Sequence, residues 1–251
     1  MKKHKICKIL LVILAIFLCV AFYELLGICV AYKKQPEVSN TTKKETKNGS
    51  WNECSENTER AVIIEKNPEA LLQRVRLIKN AKKEIILSTF AFQSDESGKL
   101  ILGALHDAAD RGVHIRLLVD GMESWVDMEG NPYFYGLSSH ENVEIKLYNK
   151  ANPLKPWKMM GRMHDKYLIA DGKRYILGGR NTYNYFLGDF PGHKNYDRDV
   201  LVVCNEPEKE NSVNQLLEYF ETIWEQEDSG YFHDNKKLAN RKSVKNAVLE
   251  L

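Results

Sequence analysis

The sequence predicts an α/β protein: a mixed β-sheet flanked by helices on both faces and preceded by one N-terminal transmembrane helix. Three observations lead there. From about Arg60 onward, β-branched runs alternate with segments of helical apolar spacing. Ahead of them lies an apolar stretch from Ile9 to Tyr32, broken only by Glu24. The composition, 43% hydrophobic and 28% charged with only 7 Pro among 251 residues, belongs to a globular chain and excludes collagen-like or disordered classes.

The apolar stretch follows Lys2, Lys3, Lys5 and Lys8. A helix of this length spans roughly 36 Å, enough to cross a hydrocarbon core of about 30 Å. A cleaved signal peptide has the same basic start, but no small-residue cleavage site is evident, so a retained anchor is expected. Basic residues flank it on both sides, with Lys33, Lys34, Lys43, Lys44 and Lys47 following. The positive-inside rule therefore pulls both ways. A short basic tail stays most easily in the cytoplasm, which places the globule on the extracytoplasmic side of a single-pass cell-membrane protein.

Residues 1–34 are thus read as tail and anchor, 35–59 as a polar tether, 60–228 as the globular domain and 229–251 as a helical, polar tail. Within the domain, Ala61 to Glu65 is a short strand, and Pro68 opens a helix carrying Leu71, Leu72, Val75 and Ile78. Glu84 to Phe92 (EIILSTFAF) is a buried strand. Leu100, Ile101, Ala104, Leu105 and Ala108 form a helical stripe that stops near Gly112. Val113 to Asp120, Val143 to Tyr148, His164 to Ala170, Tyr175 to Leu177 and Asp199 to Val203 are strands, and Ser212 to Trp224 returns to helix.

Charge is unevenly placed. The first 50 residues carry nine Lys and three Glu, so the formal +2 of the whole chain leaves the rest at −4. A mildly acidic globule disfavours a nucleic-acid partner. Five Cys spread along the chain exclude a disulfide scaffold; Cys54 and Cys204 either pair or are unrelated thiols.

The chemistry concentrates between Arg162 and Asn181. On a strand, His164 and Lys166 share one face, with Asp171 just past the strand end. A neutral imidazole is a nucleophile, an ammonium binds non-bridging phosphate oxygens, and an Asn amide donates to the same oxygens. Gly178 and Gly179 let backbone approach a phosphate. This is a phosphate-handling site with no metal-ligand cluster and no need of a cofactor. Arg162 and Arg180 are either phosphate contacts or solvated charges. Asp197, Arg198 and Asp199 form either a buried buttress or a solvated turn. Trp125, Tyr133, Phe134, Tyr135, Trp157, Met159 and Met160 are core by default, with an apolar wall for acyl chains as the alternative.

The spacing His164-x-Lys166-x4-Asp171-x6-Gly178-Gly179-x-Asn181 resembles the HKD signature of the phospholipase D superfamily, in its bacterial cardiolipin-synthase-like branch. The resemblance runs from about Arg60 to Trp224. It implies a phospholipase D-like sandwich fold and attack by His164 on a phosphodiester through a phosphohistidine. Lys166 binds phosphate, Asn181 assists and Asp171 supports the site. Gly179 stands where the family often has Ser.

Family enzymes bring two such motifs together, and this sequence has one. Either two chains pair as a homodimer, or a second half is missing. The expected function is that of a membrane-anchored phosphodiesterase or phosphatidyltransferase acting on phospholipid. The alternatives are a single-motif nuclease and an inactive membrane-tethered binding module. His193 sits in a Gly-rich loop and His233 in the tail, both expected on the surface.

Overall fold

The computed structural model describes residues 2–33, 39–40, 43–44, 59–205, 211–233 and 236–251. Most of the expected tether, and Cys54, lie outside the described residues. The chain divides into two units, residues 1–55 with 151–161, and residues 56–150 with 162–251.

In the first unit, α1 (Lys2–Lys33) contains the apolar stretch Lys5–Ala31, which reaches a mean hydropathy of 2.9 over an 18-residue run with none of that run buried. Among the described residues it is the one helix long and apolar enough to cross a membrane. Residues 151–161 hold a single 3-10 turn, Pro156–Lys158.

The second unit is built on an eight-stranded sheet. Its elements in chain order are β1 (Glu59–Ile64), α2 (Asn67–Asn80), β2 (Glu84–Thr89), α3 (Glu96–Asp110), β3 (His114–Asp120), α4 (Gly121–Asp127), α5 (Pro132–Ser138) and β4 (Val143–Tyr148). There follow β5 (Tyr167–Ala170), β6 (Arg174–Gly178), β7 (Asp199–Cys204), α6 (Ser212–Trp224), β8 (Ser229–Tyr231), α7 (Lys236–Ala239) and α8 (Lys242–Glu250). Strand order is β1-β7-β6-β5-β2-β3-β4-β8. The pairs β2–β3 and β3–β4 are parallel, as helical crossovers require, and the remaining pairs are antiparallel.

Side chains alternate between two cores. On one face, Leu87, Ile115, Leu117, Leu168 and Ile176 meet apolar residues of α2, α3 and α5. On the other, Ile86, Leu118, Ile169, Tyr175 and Val202 meet Val213, Phe220 and Trp224 of α6. Helices therefore cover both faces, as expected. Their starts follow the capping chemistry: Asp95, Asp120, Asn131 and Asn211 each accept a backbone N–H in the first turn of α3, α4, α5 and α6. Gly112, at φ +85°, ends the α3 region.

Three expected boundaries differ. The strand expected over His164–Ala170 begins only at Tyr167. Tyr167 pairs with Ser88, one residue before β2 ends, so residues 164 and 165 run past the end of that strand. The strand expected to reach Phe92 stops at Thr89, leaving one isolated bridge between Phe92 and Thr182. Residues 229–251 are not a free tail. β8 pairs with β4, and α8 buries Val244 and Ala247 on the side of α5. Short polar segments hid this, since three residues of strand carry no periodicity.

Candidate active site

The carboxyl ends of parallel strands β2 and β3 meet the amino end of antiparallel β5, and the motif residues gather there. Asp120, the last residue of β3, is 1% exposed and accepts N–H bonds from Met122 and Glu123 at the start of α4. The same carboxylate accepts from Arg162 Nε at 2.9 Å and from the Met163 N–H at 3.1 Å. Arg162 Nη2 also reaches Glu123 at 2.8 Å. The backbone just before His164 is thus clamped to the end of β3.

His164 is exposed, with its ring against Phe90 at 4.6 Å between centroids. Lys166 is buried, and its Nζ donates to the His164 carbonyl at 2.7 Å. Burial lowers the Lys166 pKa from its ordinary 10.5, while the charges of Asp165 and Asp197 act in the opposite direction. The Lys166 carbonyl accepts the Gly178 N–H at 3.2 Å, which ties the two halves of the motif together. Asn181 is buried, and its Oδ1 accepts the Ala91 N–H at 3.3 Å, leaving Nδ2 as its donor. His164, Lys166 and Asn181 therefore surround the turn Phe90–Ala91 at the end of β2. Strand alternation does not pair His164 with Lys166; their common neighbour Phe90 does.

Asp171 is not among them. It lies at the far end of β5, four strand residues away from Lys166, in a left-handed conformation at φ +55°. Its carboxylate accepts the N–H groups of Lys82, Lys83 and Glu84, at 3.0, 2.7 and 3.1 Å. Those donors open β2, so Asp171 organises the opposite end of the sheet. Its catalytic assignment is corrected to a structural one.

Gly178 and Gly179 also have a different reason from the one expected. A Cβ on Gly178 would stand 2.0 Å from Asp199 Oδ1, and one on Gly179 2.0 Å from Asp197 Oδ2. The glycines make room for two carboxylates. Asp199, 2% exposed, pairs with Arg74 at 2.9 Å and Arg180 at 3.1 Å. Arg180 further donates to Asn67 Oδ1 and to the carbonyls of Ile64 and Glu65. Arg180 and Asp199 are thus a buried buttress beneath Asn181, and neither faces solvent. Arg198 is exposed and pairs with Glu65.

The other histidines have local partners. His193 is exposed beside the Tyr185 ring, and His233 bonds Glu129 and meets the Tyr135 ring edge-on. Phe134 and Tyr135 are buried, the first against Phe92 and the second against Phe232, so both are core. Trp125 and Val126 on α4 are exposed. Trp157, Met159 and Met160 belong to the first unit. Sequence reasoning missed Asp120 and Phe90, which entered it only as parts of strands.

This architecture is that of phospholipase D-like proteins. The Nuc structure from Salmonella typhimurium, a phospholipase D family member, superposes with a TM-score of 0.50 at 21% identity, covering 70% of this chain and 99% of that one. Phosphatidylserine synthase of Haemophilus influenzae Rd KW20 superposes at 0.56 and 19% identity, covering 84% of this chain and 46% of that one. Residues 74–224 match the family described as cardiolipin synthase, PLD-like domain, and the chain belongs to that family. Cardiolipin synthase C of Escherichia coli K12 is 29% identical over 171 residues, which is 62% of this chain and 34% of that protein. The chain spans about a third of the length of the curated relatives it matches.

Proposed function

We propose that the chain is a membrane-anchored phosphodiesterase or phosphatidyltransferase of phospholipids. The observation that carries the reading is the convergence of His164, Lys166 and Asn181 on the turn that ends β2. In this reading the neutral His164 imidazole attacks phosphorus while Lys166 and Asn181 hold the non-bridging oxygens. The bond from phosphorus to the leaving oxygen breaks, and that oxygen takes a proton from an acid. Water or an alcohol then gives up its proton, attacks the phosphohistidine and frees His164.

One histidine cannot attack and donate in the same step. Neither His193, exposed beside Tyr185, nor His233, bonded to Glu129, joins the His164 cluster, so the acid is assigned to a second motif, from another copy of the chain or from a further half. Lipid as substrate draws support from the family match, the apolar α1, the net −4 after residue 50 and the exposed Trp125 and Val126 near the Arg162 clamp. Tethering raises the local concentration of such a substrate. We further propose that the globule lies outside the cytoplasm, which protease accessibility in intact cells tests.

The test of function offers phosphatidylglycerol vesicles and single-stranded DNA together to the anchored protein. Lipid turnover with a trapped phosphohistidine, both lost in His164→Ala, is the expected result. DNA cleavage with untouched lipid replaces the lipid reading by the nuclease one.

A further inference from the structure

A nucleophilic imidazole is ordinarily oriented by an acceptor on its second ring nitrogen. Among the described residues His164 makes no such hydrogen bond; its one ring contact is Phe90, with planes inclined at 65°. Phe90 also touches two cationic groups from the same stretch. The Arg162 guanidinium carbon lies 4.9 Å from the centre of its ring, and Lys166 Nζ lies 5.4 Å from it.

We infer that Phe90 is a positioning residue, a neutral post that holds the His164 ring beside Lys166 and Arg162 without cancelling the charge of Lys166. The inference rests on the reading of His164 as nucleophile. The physical case turns on what the post must not be. Two cations on one ring repel one another, and beyond the carboxylates that pair with Arg162 something must hold Lys166 in place. A carboxylate inside the cluster would do so, but it would bring a full negative charge, repel the phosphodiester and compete for Lys166 Nζ. An aromatic ring attracts cations through its quadrupole and carries no net charge. The ring therefore leaves Lys166 its charge.

The carboxylates near the cluster are spent at its margins. Asp120 and Glu123 engage Arg162 on the side of β3 and α4, and Asp120 is also occupied with the N–H groups of α4. Asp165 and Asp197 raise the Lys166 pKa through charge, and Asp165 is itself bonded by the Tyr219 hydroxyl at 2.8 Å. None of these stands where Phe90 stands. The position also makes sense of the short β2. By ending at Thr89, the strand frees Phe90 from pleated alternation and lets its ring lie across the motif.

Leucine has a similar apolar character but no quadrupole, whereas tryptophan keeps the aromatic face. In the full chain assayed on phosphatidylglycerol vesicles, Phe90→Leu should lose about tenfold or more in kcat, with KM changed by less than about threefold. Phe90→Trp should stay within about threefold of the parent, and the thermal midpoints of the two variants should agree within about 3 °C. A readout without turnover accompanies these. The His164 ring protons should lose their aromatic ring-current shift in Phe90→Leu, as seen in proton–carbon NMR spectra.

Unaltered imidazole signals, or equal losses of kcat in both variants, overturn the inference. Wild-type turnover in Phe90→Leu, alongside an inactive His164→Ala, overturns the role of Phe90 alone. Activity surviving in His164→Ala removes the nucleophile and this role with it.

Discussion

The Asp120 carboxylate holds the Arg162 guanidinium through Nε at 2.9 Å and Nη2 at 2.7 Å, two residues ahead of His164. A side chain outside the HKD pattern thereby sets where the motif starts. Asp120→Asn keeps an acceptor for the α4 N–H groups but removes the charge that grips Arg162. Because a misplacement of about 1 Å costs roughly a hundredfold in rate, kcat is expected to fall by about ten- to a hundredfold with the fold retained. Unchanged kcat, read beside an unaltered circular dichroism spectrum, removes Asp120 from the positioning of His164.

If Lys166 binds the phosphate as proposed, it sets the alkaline limit of the reaction. Burial lowers its pKa below 10.5, so its ammonium is lost before that pH is reached. The alkaline limb of kcat/KM should therefore fall below pH 10.5 and move upward in Lys166→Arg. For stability the sign is opposite. The folded chain binds this proton more weakly than the unfolded chain, so the charged Lys166 costs stability below its folded pKa. That cost disappears as pH rises from the folded pKa to 10.5. A limb that does not shift in Lys166→Arg assigns it to another group.

Asp171→Ala should separate structure from chemistry. It strips an acceptor from three N–H groups at the start of β2 and leaves an alanine in a left-handed turn. The expected cost is about 1–3 kcal/mol of unfolding free energy with kcat within about threefold of the parent, measured well below the melting temperature. A catalytic collapse in a stable variant would restore the aspartate to the active site.

Asp199→Ala leaves Arg74 and Arg180 buried without their shared carboxylate. Removing one partner from such a cluster costs about 3–5 kcal/mol, so the urea midpoint should drop sharply. Only a small drop would mean that the Ile64 and Glu65 carbonyls suffice for Arg180.

Trp125 and Val126 present apolar surface on α4, which begins beside the Arg162 clamp. If they meet the membrane interface, Trp125→Ser with Val126→Ser should lower turnover on vesicles about tenfold and leave a soluble short-chain phosphodiester unaffected. Equal loss on both substrates points to a folding defect instead.

Much of the fold was legible because its strongest elements obey simple periods. The stripes of α2 and α3 and the β-branched runs of β2, β3, β4 and β7 announce themselves. The tail did not, since β8 has three residues and gains its place only through pairing with β4. In the site, His164, Lys166 and Asn181 were legible as chemistry. Phe90 and Asp120 were not, because an aromatic and an acidic residue at strand ends have ordinary explanations until the chain brings the motif onto them. Asp171 failed for a geometric reason. Five residues along the chain from Lys166 carry it past the length of β5 to the other edge of the fold.

Gly179 and Asp197 are not independent letters of the sequence. Any side chain at position 179 projects a carbon to within 2.0 Å of Asp197 Oδ2, so a serine can enter only if that carboxylate swings aside. The displaced charge is one of the two that raise the Lys166 pKa. Gly179→Ser would therefore retune an ammonium it never touches, and its effect should depend on whether position 197 is still aspartate. Mutational paths through this loop should be epistatic, the effect of a change at 179 depending on which residue stands at 197 when it occurs.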